Sequence, residues 1–207
     1  MNFGITLSNR GIPIGLCSAR DLLALADAVE ACPVMDSVWC GDALFVNRRL
    51  DALTLLAAVA GCTERVYSRG SELALMRVGT IADGWMTHSV SPGGFQRSWD
   101  FILKTGRESG RDMSAFDNVL YHHINVNADK QEALADSKKF LDLYYSADYT
   151  KARLEAWLTY GSPRECVEHI KLFKASGCRR ITFRISTMGD PMAQLRRLVE
   201  DVLPYVD

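Results

Sequence analysis

The sequence predicts an α/β domain of repeated strand-helix units around a parallel sheet, either a barrel or a doubly wound sheet. Three observations lead there. Short apolar runs alternate with longer segments of helical periodicity along the chain, and parallel neighbours need such crossovers. Helix start and stop signals stand between the two kinds of segment rather than inside them. At 207 residues, 48% hydrophobic and 24% charged, the chain suffices for one buried core, yet it is short of the roughly 250 residues of an eight-unit barrel.

Phe3-Gly4-Ile5-Thr6-Leu7 is the first strand, emptying into the loop Ser8-Asn9-Arg10-Gly11. Ser18 caps the next helix with Asp21 three residues on, and Leu22, Leu25, Ala26 and Val29 form its apolar stripe until Pro33. Ser37-Val38-Trp39-Cys40-Gly41 is a second strand closed by Asp42, and a helical pattern over residues 50–60 ends at Gly61. Helices over residues 72–82 and from Ser91-Pro92 to about Glu108 flank a strand at residues 84–87. A strand follows at residues 118–126, then a long helix over residues 129–145. Ser162-Pro163-Arg164-Glu165 is the strongest local signal, because a serine cap, a proline and a glutamate at the third position satisfy orphan amides reciprocally. That helix ends at Gly177, residues 180–186 are the last strand, and Asp190-Pro191 opens a final helix.

Composition narrows the function classes. Lys plus Arg number 24 against 25 Asp plus Glu, so no broad cationic surface awaits nucleic acid or an anionic membrane, and neither is an expected partner. No run approaches the roughly 20 apolar residues of a membrane span, and the first residues do not read as a signal peptide, so a cytoplasmic protein is expected. Six scattered cysteines without a C-x-x-C pair read as small, largely buried thiols. No G-x-G-x-x-G follows the first strand, which argues against a dinucleotide-binding Rossmann domain.

Specific residues then add to the pattern. Phe3-Gly4-Ile5-Thr6-Leu7, Asp36-Ser37-Val38-Trp39-Cys40-Gly41-Asp42, and Leu50-Asp51-Ala52-Leu53-Thr54-Leu55-Leu56-Ala57 followed by Thr63-Glu64-Arg65-Val66 resemble the opening of the luciferase-like flavin- or deazaflavin-dependent oxidoreductases. Ser71-Glu72-Leu73-Ala74-Leu75-Met76-Arg77-Val78-Gly79, Ile81-Ala82-Asp83-Gly84-Trp85-Met86 and Tyr160-Gly161-Ser162-Pro163-Arg164-Glu165-Cys166 resemble the family's closing half in the same order. The resemblance covers nearly the whole chain. It implies a TIM-type barrel that binds FMN or a deazaflavin coenzyme at its C-terminal mouth and acts on a small-molecule substrate. In the family a long stretch separates the positions matching Val66 and Ser68, whereas here only Tyr67 does. The chain is therefore read as one luciferase-like domain over residues 1–207 that lacks a central segment, with a fused strand at residues 65–68. Six strands are expected, near residues 3–7, 37–41, 65–68, 84–87, 118–126 and 180–186, in an incomplete, TIM-barrel-derived parallel barrel or strongly curved sheet. Open edges would be covered by forming a homodimer.

Candidate site residues follow the same geometry. Ser68-Arg69-Gly70-Ser71 stands where a strand turns into a helix, so free amides, the positive helix end and a guanidinium converge there on a phosphate. The resemblance implies that role too, although paired glycines are common where Ser68 and Arg69 stand; a capped helix start is the plainer alternative. Thr87 and His88 add phosphate hydrogen bonds or form an ordinary loop. Asp42, at the mouth end of its strand, is placed as the catalytic carboxylate, bonding a flavin ring or moving a proton, or else caps a helix. Ala43 stands where deazaflavin-dependent relatives often carry a histidine. His122 and His123 are consecutive on a strand, so they face opposite ways and cannot chelate one ion together. Thr182, Arg184 and Ser186 share a face that receives an anion or is paired internally. Trp39, Trp85, Trp99 and Trp157 read as core.

Three functions compete on these grounds: a flavin- or deazaflavin-dependent oxidoreductase or monooxygenase, a non-catalytic flavin-binding or vestigial barrel, and a subunit whose sheet edges serve association.

Overall fold

The structure, a computed structural model, describes residues 1–40, 72–82 and 84–206. The expected helix over residues 50–60 and the expected fused strand at residues 65–68 lie outside the described residues. Along the chain the elements are β1 (Asn2–Leu7), α1 (Ala19–Glu30), β2 (Ser37–Cys40), α2 (Glu72–Ile81), β3 (Gly84–His88), α3 (Pro92–Glu108), β4 (Asp117–Val126), α4 (Lys130–Tyr145), α5 (Lys151–Glu155), β5 (Leu158–Gly161), α6 (Pro163–Ala175), β6 (Arg180–Ile185) and α7 (Pro191–Arg197). A π-helical turn at Leu198–Val202 and a short 3-10 turn at Leu203–Tyr205 follow.

Local chemistry explains the helix boundaries. Ser18 and Asp21 form the expected capping box of α1, and Ser162 and Glu165 form that of α6 with Pro163 in its first turn. Lys130 reinforces the second box through an ion pair with Glu165 at 2.7 Å. That bond and the Ser162 contacts hold the Glu165 carboxyl at about 2, below the usual range.

All the strand pairs are parallel, and the sheet runs β2-β1-β6-β4-β3. The last strand lies beside the first, as barrel closure requires, but among the described residues β2 and β3 do not pair and the sheet stays open. β5 was not expected from the sequence. It occupies part of an edge that β3 has already begun: β3 pairs with residues 117–121 of β4, and β5 with residues 123–126. The opposite edge of β4 is taken by β6 along residues 119–124.

The two faces of the sheet carry different loads. Phe3, Ile5, Leu7, Trp85, Leu120, Ile124, Ile181 and Phe183 point to one face and merge with α1, α3 and α6 into the main core. Trp85 stacks on Trp99 and tilts against Phe95, which meets Phe173 edge-on. Where α2 crosses α3 the backbones nearly touch, and a Cβ on Gly79 would stand 2.7 Å from the Ile102 carbonyl oxygen. The other face is covered by the C-terminal half of α4 and by α5, with Tyr144, Tyr145 and Trp157 against β4 and β6 and Tyr149 packed on Trp157. Their own apolar support is Phe140, Leu141 and Leu154. No helix among the described residues is long and apolar enough to cross a membrane.

Candidate functional site

Parallel α/β sheets place their chemistry at the strand C-termini, and here that rim gathers the buried polar side chains. In β6, Thr182, Arg184 and Ser186 do share one face, all buried, while Ile181, Phe183 and Ile185 share the other. The polar set is paired internally: Thr182 with Thr6 across to β1, Ser186 with His123 on β4 at 2.7 Å, and Arg184 with Ser8 Oγ at 2.7 Å. Arg184 Nε also donates to the Tyr121 hydroxyl, and its Nη2 to the Leu7 carbonyl at 3.4 Å.

Arg184 lies 4.6 Å from the centroid of the Tyr144 ring, and Arg10, in the loop after β1, lies 5.8 Å from that same centroid. Arg10 donates to Ser146 Oγ at 2.9 Å, where Ser146 caps α4 in the left-handed region at φ 53°. Both arginines are nine-tenths buried or more, and neither has a carboxylate partner among the described residues. Asp142, one turn earlier on α4, is engaged instead by Lys138 and by the backbone N–H of Tyr149. Hydrogen bonds to a charged group return about 1.5–3 kcal/mol each, so the three on Arg184 offset much of its burial, whereas Arg10 has one, to Ser146. Burying a charge costs several kcal/mol per ion, a desolvated cation–π contact returns about 2 kcal/mol, and a helix C-terminus returns up to about 2 kcal/mol in partly buried geometry.

Around this charge the aromatic side chains close in. The Tyr121 and Tyr145 hydroxyls are 3.2 Å apart, and burial raises both phenols above their ordinary pKa, so both remain protonated at neutral pH. His123 meets Trp157 edge-on at 4.6 Å. Burial first, then the charges of Arg184, His122 and His88, lower the His123 pKa well below its ordinary value. Its ring is therefore neutral, with Nδ1 on Ser186 and a buried Nε2 that has no partner. His122 leaves the opposite face, toward Thr159 Oγ1 at 3.0 Å, and Thr159 in turn meets His169 Nδ1 at 2.9 Å. The two consecutive histidines thus belong to separate networks.

Of the residues singled out from sequence, Asp42, Ser68, Arg69, Gly70 and Ser71 lie outside the described residues. Thr87 and His88 are described and part company. His88 aligns with Tyr121 and joins the aromatic cluster, 5.6 Å from Trp157, with Nδ1 on Ser89 Oγ at 2.7 Å. Thr87 aligns with Leu120 and leaves the helix-covered face. Ser89, just beyond β3, holds φ 53°, a conformation few non-glycine residues adopt and one often found near functional sites. The residues missed from sequence are Arg10, Tyr121 and the Tyr144-Tyr145 pair. An arginine beside a strand end and two tyrosines closing a largely polar helix were the available signal, but neither shows which face the helix adopts.

Comparison with solved structures gives the fold its context. Flavoprotein 390 superposes with a TM-score of 0.67 at 13% identity, over 96% of this chain and 91% of that one. A monooxygenase from Streptomyces bottropensis superposes with a TM-score of 0.66 at 13% identity, over the full length of both chains. Coenzyme F420-dependent tetrahydromethanopterin reductase from Methanopyrus kandleri gives a TM-score of 0.57 at 16% identity over 91% of this chain, which spans only 62% of the reductase. No protein-family model matches the chain, and no curated relative matches it. At these identities the likeness is one of architecture: this chain shares the parallel α/β fold of those proteins, with an open sheet among its described residues.

Proposed function

We propose that this chain is a shortened luciferase-like oxidoreductase that binds a flavin or a deazaflavin coenzyme at the C-terminal rim of its parallel sheet. The observation that carries the reading is the rim itself. Two buried guanidiniums, the hydroxyls of Ser8 and Tyr121, and an orphaned imidazole nitrogen at His123 gather near the C-terminal ends of β1 and β6, alongside the middle of β4. That donor set fits an anionic, hydrogen-bonding ligand. The fold likeness supports it, since Flavoprotein 390, a monooxygenase and an F420-dependent reductase share the architecture.

When bound, the ring system supplies the redox step. The chain's share is to hold the ligand's anionic group, exclude water with Tyr145 and Trp157, and present neutral His123 as a hydrogen-bonding partner. Ser68, Arg69, Gly70 and Ser71 belong to this reading as a phosphate cradle, His88 and Thr87 as further contacts, and Asp42 as the carboxylate that moves a proton. The same proposal includes a small-molecule substrate, a homodimer that covers the sheet edges, and a cytoplasmic setting.

One feature favours a non-catalytic flavin-binding protein as the second reading. Side chains of α4 and of the residues after it lie against one face of the sheet beside the rim, where Tyr145 and Trp157 pack on His123. Titration of the purified chain with FMN and with the deazaflavin coenzyme separates the two. Binding with substrate-dependent oxidation supports the enzyme, binding without turnover supports the carrier, and failure to bind either refutes both.

A further inference from the structure

We infer that the loop after β1 and the C-terminal end of α4 form an oxoanion site, built on Arg10 and Arg184, that takes a phosphate group. The site uses the same rim that the proposed function invokes, and inorganic phosphate tests it without a flavin. A guanidinium presents five N–H donors. Arg184 uses three of its donor atoms on Ser8, Tyr121 and Leu7, and Arg10 uses one on Ser146. Both guanidiniums lie within 6 Å of the centroid of one tyrosine ring, which places two positive charges at one end of the sheet. The carboxylate that such a pair requires is not found among the described residues, since Asp142 is committed to Lys138 and Tyr149.

The local geometry assigns roles. Arg184 donates Nη1–H to Ser8 Oγ, which leaves the Ser8 hydroxyl proton to donate outward from a half-buried position. Arg184 therefore acts from behind, orienting Ser8 and supplying charge. The contacts to the anion come from Ser8 and from the remaining donors of Arg10. The turn that carries them is fixed by Gly11 N–H to the Ser8 carbonyl at 2.7 Å and by Arg10 to Ser146. Planar, multidentate donors of this kind match phosphate better than a single lysine would.

Inorganic phosphate is the probe, titrated by calorimetry against the full chain at constant ionic strength with chloride as the control salt. Saturable phosphate binding is expected, weakened about tenfold in Arg10→Gln and by less in Ser8→Ala. Absence of phosphate binding to the unaltered chain overturns the site. So does binding that both variants leave unchanged. If Arg10→Gln does not fold, Ser8→Ala and the unaltered chain still decide the matter. FMN and riboflavin, compared in the same assay, distinguish the source of the phosphate. Tighter FMN binding that phosphate competes away assigns the site to a cofactor ester. Phosphate binding without binding of either flavin keeps the site and removes the flavin reading.

Discussion

Acidification is expected to destabilise this protein above the pH at which carboxylates titrate; His122 and His123 supply most of the effect, and His169, whose pKa burial also lowers, adds to it. His122 and His123 are fully buried, and burial is the first cause that lowers both pKa values well below the ordinary 6.5. In the unfolded chain each ring binds a proton near pH 6.5, whereas in the folded chain neither does until much lower pH. The unfolded state therefore gains protons as pH falls, and stability present above about pH 6.5 is progressively lost toward the folded-state values. Between pH 7.5 and 5.5 the loss is about 1.4 kcal/mol per histidine, or about 3 kcal/mol for the two. With a urea dependence of roughly 2 kcal/mol/M, the unfolding midpoint drops by about 1.5 M. Depressed carboxylates such as Glu165 titrate below this window and do not contribute to it. Urea titrations followed by tryptophan fluorescence at the two pH values measure the shift, and His123→Gln should remove about half of it. A midpoint that stays put between pH 7.5 and 5.5, at constant slope, would show that the two rings are not held neutral and would refute the burial argument.

Other expectations follow from single contacts. Gly79→Ala places a Cβ 2.7 Å from a backbone oxygen of α3 and should cost about 2 kcal/mol despite its better helix propensity, read as a lowered thermal midpoint. Ser162→Ala removes the cap of α6 and should cost about 1 kcal/mol, with unchanged far-ultraviolet circular dichroism below the transition; no loss of stability would deny that the capping box contributes. Burial pushes the Cys166 thiol up to about 12 and raises Cys178 as well, so mass spectrometry after mild alkylation should find half-buried Cys17 modified before either. Early labelling of Cys166 would contradict its placement on the buried face of α6.

Much of the fold was legible because its signals are local. The Ser18-Asp21 and Ser162-Glu165 boxes, the proline starts and the apolar runs at β1, β3, β4 and β6 each depend on neighbours in sequence. β5 escaped notice because Leu158-Thr159-Tyr160-Gly161 is too short to show alternation, and it exists only because β4 outruns β3. The site was less legible. Adjacency on a strand separates His122 from His123, but nothing in the periodicity of α4 says that its C-terminal end turns onto the concave face. Arg10 and Tyr144 are 134 positions apart, and their meeting is a product of packing.

The inward lie of α4 changes what this architecture can offer a visitor. A closed ring of strands keeps a well at its top, into which a flat molecule descends edge first. Here, among the described residues, phenols and an indole stand against that face of the sheet, so a guest of the rim meets aromatic surface before it meets strand.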